Sequence, residues 1–578
     1  MGVSKRKIAY GEKQNMVPLV RNPDLVKKDF PGISVWPWSK RNLAKLSDPK
    51  YSEIRQRISQ LDPGEITRIS ASKQFLLRIS ALDLSRVTET DVRACIQPRT
   101  FFPGNVLNLD NIQRVKRGPI QVLGNIIGGW LRLKFPRKTP KYDYAFMVHP
   151  RNWTDVLGGA PFLKFLPKKW GVALVKRFPP FKLSNITGLK DENGKPLTGA
   201  IVCIGWDLKM FESDLRGREQ KIADMVKLVK NMGAKYAGFA GLLAWASRYG
   251  RCLEGTVSRK EIEKIIEGEK VRWEQLARLF ENPADTNLKP KPLAEVKDAV
   301  AQLDLNRNKK RELLALFQWA DRVGQELNEM HVTTGHPFTV AILSSMVNKV
   351  IGLHPKKNPL VAIVGAAGST GSCCCRQLAK DGVNNLLLVD REKSSGVTDL
   401  SLLSSEIAQL NRDATIKTSV NLEDLKQAEI IVVVSSSDEV LINAEHLKPG
   451  AIVIDDTQPR NVSPKIVEER KDIRVITVLA QIKGLIPNYS FDKHIPLTDV
   501  VFTCVGDIIA RLLTRTTGGS TGPADMASVQ RVMEMARQIE ETRGFNPLEP
   551  IFTTYLRQFI PDDDLVNIAR LTLTQAPV

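Results

Sequence analysis

LVAIVGAAGSTG, residues 360–371, is where the fold is decided. LVAIV is a continuous apolar run, the length of one strand covered on both faces. Gly365, Gly368 and Gly371 follow at the spacing G-x-x-G-x-x-G, and SCCCRQLAKDG then reads as a helix stopping at Gly382. Glycines let the backbone turn tightly and approach a pyrophosphate, while the helix start offers N–H groups at the positive end of its dipole. The backbone of Gly365, Ala366, Gly368, Ser369, Thr370 and Gly371 would form that cradle. A glycine pattern alone is weak, and its place between strand and helix is what gives it weight.

Outward from the loop, NLLLVD, ATIKTSV, EIIVVVSSS, AIVIDDT and RVITVL read as further strands, several separated by helical patterns. Such repeats predict an α/β fold, a Rossmann-like doubly wound parallel sheet. The second strand ends in LLLVDRE. Asp390, 19 residues after Gly371, is placed for the ribose hydroxyls of NADH, whereas Arg391 offers a fork for the 2′-phosphate of NADPH. The two signals conflict, and the residues alone leave NADPH and NADH both open. Ser435, after EIIVVV, joins the cofactor-binding set. Cys373 to Cys375 read as small residues packed against the sheet, and no Cys or His spacing suits zinc, so no metal is expected.

The chain has 578 residues and a net charge of +21. Residues 1–150 carry +15, 151–250 carry +9, 251–350 carry +1 and 351–578 carry −4. The basic half would attract an acidic protein, an anionic membrane or nucleic acid, and charge alone does not choose among them. MGVSKRKIAY lacks an apolar signal region, and seven Cys without a disulfide pattern suit a reducing cytoplasm.

Five regions follow. Residues 1–140 form a basic, Pro-rich extension that includes the helical pattern KQFLLRISALDLSRV. GPIQVLGNIIGGWLRLKFPRK (118–138) ends in a basic, Trp-containing stretch that suits an interfacial membrane anchor. Its three glycines make a poor helix, so a buried loop or strand fits equally. Residues 141–250 carry short strands and a helix, an additional α+β substrate domain. Residues 251–330 alternate charges and read as an exposed helical insertion. Residues 331–480 hold the dinucleotide-binding domain with its lead-in helix, and 481–578 a helical C-terminal region.

VVFTCVGDIIARLL (500–513) follows the helical period and contains one thiol, Cys504. Read alone, that cysteine is a small hydrophobe in a packed helix. Several separated motifs give it another meaning. YAFMVHPRNW, PFKLSNITGL, AGFAGLLAW, VTTGHPFTVAIL, GAAGSTG, LKPGAIVIDDTQPRNV and GFNPLEP, taken in order, resemble the long-chain acyl-[acyl-carrier-protein] reductases that form fatty aldehydes. The likeness covers about 141–250 and 331–550. It implies that Cys504 is the nucleophile, that His149 stands at the matching place on the first strand, and that Thr333, Thr334, Gly335 and Thr339 form the family's TTG-x-x-x-T motif near substrate. It also implies NADPH, and an acidic acyl-carrier protein or acyl-CoA as donor of the chain. Asp390 departs from the family's cofactor loop, the turn at 238–241 keeps only part of its glycines, and His336 replaces an Asn. The expected reaction is reduction of a long-chain acyl thioester to aldehyde through an acyl-cysteine. The alternatives are another NAD(P)-dependent dehydrogenase with a structural Cys504, or a non-catalytic nucleotide-sensing or membrane-docking protein.

Overall fold

The computed structural model describes residues 119–553, apart from 138, 393–396, 438, 459 and 488–499. The extension before 119, including KQFLLRISALDLSRV, lies outside the described residues.

One sheet begins with β1 (Tyr144–Val148), β2 (Phe181–Thr187), β3 (Gly199–Cys203) and β4 (Tyr236–Phe239). Two short strands, β5 (Val257–Ser258) and β6 (Asn287–Leu288), pair only with each other, and β7 (His331–Thr333) rejoins the first sheet beside β4. A second sheet is made by β8 (Val361–Val364), β9 (Asn385–Val389), β10 (Thr415–Ser419), β11 (Ile430–Val433), β12 (Ile452–Asp455) and β13 (Arg474–Gln481). β14 (Ile486–Pro487) crosses back to pair with β2, whereas β15 (Val500–Val501) and β16 (Ile551–Thr553) lie antiparallel to β13. The helices that matter below are α1 (Pro119–Lys134), α2 (Lys168–Arg177), α3 (Leu215–Asn231), α4 (Arg307–Leu327), α5 (His336–Leu353), α6 (Ser369–Lys380), α7 (Thr503–Thr514) and α8 (Met526–Arg543).

The second sheet runs β10-β9-β8-β11-β12-β13, all parallel. This is the Rossmann order, and its switch point falls between β8 and β11. Every residue of β8, β11 and β12 is buried, which is why those strands read as unbroken apolar runs. Cys373, Cys374 and Cys375 are buried on α6.

The first sheet runs β14-β2-β3-β1-β4-β7. β3, β1, β4 and β7 are parallel, and β2 and β14 form an antiparallel edge. β7 and β14 therefore carry this unit beyond residue 250, and 331–333 belongs to it rather than to the dinucleotide-binding sheet. α5 leaves the end of β7 and leads to β8. α7 crosses α5 closely: a Cβ on Gly506 would sit 2.2 Å from the Phe338 ring, so only glycine fits there.

Two readings change. Residues 251–330 are not an exposed insertion throughout. Ile262, Leu276, Phe280, Val300, Leu313 and Phe317 are buried, and the alternating charges occupy the outward faces. Residues 119–134 form a helix despite Gly124, Gly128 and Gly129. A Cβ on Gly129 would come 2.3 Å from the Pro180 carbonyl oxygen, so that glycine permits a tertiary contact that outweighs its poor propensity. Among the described residues no helix is long and apolar enough to cross a membrane.

Candidate functional site

The C-terminal ends of β1, β4 and β7 bring His149, Gly241 and the Thr333–Gly335 turn to one edge of the first sheet. α7 meets that edge with its first turn, where Cys504 stands. Gly335 has φ +75°, and a Cβ there would come within 2.7 Å of the Cys504 Cα and carbonyl oxygen. The TTG turn is thus pressed onto the cysteine backbone.

Cys504 is partly buried. Burial pushes its thiol up to about 12, with the Asp456 carboxylate adding to the rise, while backbone N–H groups of Gly241, Cys504 and Val505 act on the sulfur in the opposite sense. The resting group is a thiol, but the donors that would steady a thiolate are already in place.

The motif threonines are largely committed within the protein. Thr333 Oγ1 donates to Asp507, and Gly335 N donates to Thr333 Oγ1 at 3.1 Å. Asp507 also receives the Arg511 Nε at 2.8 Å in a fully buried pair. Thr339 shares a 2.8 Å hydrogen bond with Thr503, whose hydroxyl also faces Asp456 at 3.3 Å. Thr334 Oγ1 is buried and meets no hydrogen-bond partner among the described residues. Only this hydroxyl of the three is left for a bound molecule.

His149 is buried, and burial lowers its pKa below the usual imidazole range despite its bond to Pro150. Nδ1 faces the Pro150 carbonyl at 2.9 Å and the ring meets Phe211 edge-on at 5.9 Å. Its hydrogen bond runs to the chain after β1, not to Cys504. With Nδ1 protonated, Nε2 is the remaining acceptor.

The cysteine side is tied to the dinucleotide loop through His336, which follows Gly335. Its Nδ1 lies 3.1 Å from Ser369 Oγ, and Ser369 also accepts from Ala524 N at 2.8 Å. Burial pulls the His336 imidazole down to about 4, so it is neutral at ordinary pH. Ser369 opens α6, and its hydroxyl is directed to these partners. Its backbone N–H, with those of Thr370 and Gly371, has no acceptor within the helix and is available for a phosphate.

Two of the loop's glycines leave no space for a side chain. Gly365 has φ +89° and a Cβ on it would press Ser435 at 3.0 Å; one on Gly371 would lie 2.1 Å from the Gly365 oxygen. Gly365 and Ser435 therefore meet at the switch point, the place where folds of this order take their ligands. The Asp390 carboxylate accepts Ala367 N and Arg391 N, both at 2.8 Å, so it braces the glycine loop. Arg391 is exposed.

Reading the chain alone missed the Gly241 donor, Asp456 and the buried Asp507–Arg511 pair. Only the last had a signal, an acid and a base four residues apart inside an apolar helix.

Residues 348–481 match the family model for shikimate/quinate 5-dehydrogenase. A glutamyl-tRNA reductase of Caldivirga maquilingensis is 26% identical over 164 residues, 27% of this chain and 37% of that protein. The long-chain acyl-[acyl-carrier-protein] reductase of Synechococcus elongatus is 31% identical over 142 residues, 24% of this chain and 38% of that protein. The chain thus spans less than two fifths of the curated relatives it matches. The shikimate 5-dehydrogenase of Listeria monocytogenes, solved with shikimate and NAD, shares 11% identity over 70% of this chain and 99% of that one, with a TM-score of 0.26. The family match makes 348–481 similar to a dehydrogenase-type, dinucleotide-binding domain, and the similarities beyond it are partial.

Proposed function

We propose that this chain is an NAD(P)-dependent oxidoreductase that reduces a long-chain acyl thioester to a fatty aldehyde, with Cys504 as nucleophile and NADPH as cofactor. The observation that carries this reading is the place of Cys504. It stands at a helix start, under a Gly241 N–H, one residue contact from the turn that reaches the phosphate loop through His336 and Ser369.

In this reading the Cys504 thiolate adds to the thioester carbonyl carbon, the carrier thiolate leaves and takes up the proton, and the chain stays on the enzyme as a thioester. The Gly241 and Val505 N–H groups, which act on the sulfur, would serve the developing oxyanion. When bound, the reduced nicotinamide supplies the hydride. Collapse of the resulting hemithioacetal frees the aldehyde and returns the cysteine. Gly365 to Gly371 would hold the pyrophosphate, Arg391 the 2′-phosphate, and the Thr334 hydroxyl is the polar group left for substrate. An acidic acyl-carrier protein or acyl-CoA would deliver the chain.

A second reading, a dehydrogenase with a structural Cys504, is favoured by the thiol's rise to about 12. Mixing the full chain with a long-chain acyl thioester, without cofactor, separates the two. The proposal expects one acyl mass addition on Cys504, absent from Cys504→Ala, and aldehyde once NADPH is added. No adduct, or an alanine variant that turns over normally, would discard it.

A further inference from the structure

We infer that α1 with the residues just after it (119–137) and the segment 161–178 form a docking surface for an anionic lipid bilayer, an inference that does not depend on the reaction proposed above. Nine of the fourteen large hydrophobic side chains exposed among the described residues fall in these two segments. They include all four exposed aromatics: Trp130 (49%), Phe135 (63%), Phe165 (89%) and Trp170 (69%). A stray surface leucine needs no explanation, but this concentration does.

The helix faces explain how it arises. Val122, Ile126 and Gly129 turn α1 toward β2, while Leu123, Ile127, Trp130 and Leu131 remain on its other side. α1 is therefore apolar on both sides, and only one is covered. α2 ends at Arg177, three residues before Pro180, against which Gly129 rests. Extended chain spans at most about 11 Å over that distance, so the two segments adjoin.

Charge selects the occupant. Residues 119–137 and 161–178 hold eight Lys and Arg and not one Asp or Glu. Lys134 Nζ stands 4.2 Å over the Trp130 ring. Protruding aromatics with interleaved lysines suit the headgroup region of an anionic bilayer, where rings enter the interface and cations meet phosphates. Residues 1–118 suit the surface less well, because they carry 22 basic against 11 acidic residues and would repel it. A partner protein would have to offer a groove for outward-pointing rings; a bilayer needs none.

The test is co-sedimentation of the full chain with vesicles of phosphatidylcholine alone or with 30% phosphatidylglycerol. Wild type is expected to partition at least tenfold more strongly onto the anionic vesicles, and less so in 0.5 M salt. Phe165→Glu/Trp170→Glu, Trp130→Glu/Phe135→Glu and Lys168→Glu/Lys169→Glu should each lower partitioning tenfold or more. These side chains are exposed, and unchanged circular dichroism confirms that folding is kept. Failure of wild type to bind, as when 1–118 covers the surface, overturns the inference. So does wild-type binding by both aromatic pairs of variants. A surface that instead holds a second copy would show as a dimer lost in the same variants. One that holds an acidic carrier protein would show as carrier binding lost without vesicle binding, and either result also overturns it.

Discussion

Gly335 lies directly against Cys504, in a left-handed conformation and with no space for a side chain. The turn that resembles a substrate motif is therefore a wall of the cysteine site, and its glycine fixes how near the wall can come. Gly335→Ala combines backbone strain with a clash against the Cys504 backbone. It should cost on the order of 1–3 kcal/mol in urea unfolding and lower activity at least tenfold. A variant as stable and active as wild type would show that this contact is not needed.

Burial keeps Cys504 protonated in the ligand-free protein. Its rate of alkylation by iodoacetamide, followed by peptide mass mapping, should rise about tenfold per pH unit from 7 to 9 without a plateau, because only the thiolate reacts. Acyl thioester should block the labelling. A plateau near pH 7 would mean that the backbone donors already outweigh burial.

How far these features could be read from the chain depends on where their causes lie. β8, its glycine loop and α6 were legible because a strand buried on both faces must be apolar and the tight turn must be glycine. Cys504 was legible as a thiol in an apolar helix, but Gly241 was not, since a backbone N–H carries no side-chain signature. α1 was misjudged because Gly129 lowers helix propensity locally, while its reason, the approach to Pro180, lies elsewhere in the fold. The threonines of the TTG motif read as helix-start hydroxyls, and only the family resemblance set them near substrate. Asp507 and Thr503, which hold two of them, are distant in sequence.

The Asp507–Arg511 pair is enclosed and props Thr333. Arg511→Met would leave a buried carboxylate without its cation, and should destabilise the protein by about 3–5 kcal/mol. Adding Asp507→Leu should recover much of that loss. Chemical denaturation of the single and double variants checks this, and a single-variant loss below about 1 kcal/mol would contradict it.

We expect cofactor choice to rest on Arg391, because the Asp390 oxygens are engaged with Ala367 and Arg391 backbone N–H groups. Wild type should prefer NADPH, and Arg391→Ala should weaken NADPH binding tenfold or more while barely changing NADH. Asp390→Ala should loosen the glycine loop and weaken both cofactors. Isothermal titration with each cofactor decides, and an NADH-preferring wild type would reverse the assignment.

His336 carries the clearest pH dependence. Its folded pKa, about 4, lies below the value near 6.5 of an unfolded imidazole. The unfolded chain therefore takes up the proton first as pH falls. Stability from this group is complete above about 6.5 and is lost progressively toward pH 4. Partial exposure limits the loss to on the order of 2 kcal/mol. The protonated ring would also disturb the Ser369 contact that links the cysteine turn to the phosphate loop. Other buried histidines contribute in the same direction, so the test is a difference. His336→Gln, unfolded in urea at pH 7.5 and pH 5, should lose less stability between the two than wild type does. An equal loss in both proteins would remove His336 as a cause of the acid sensitivity.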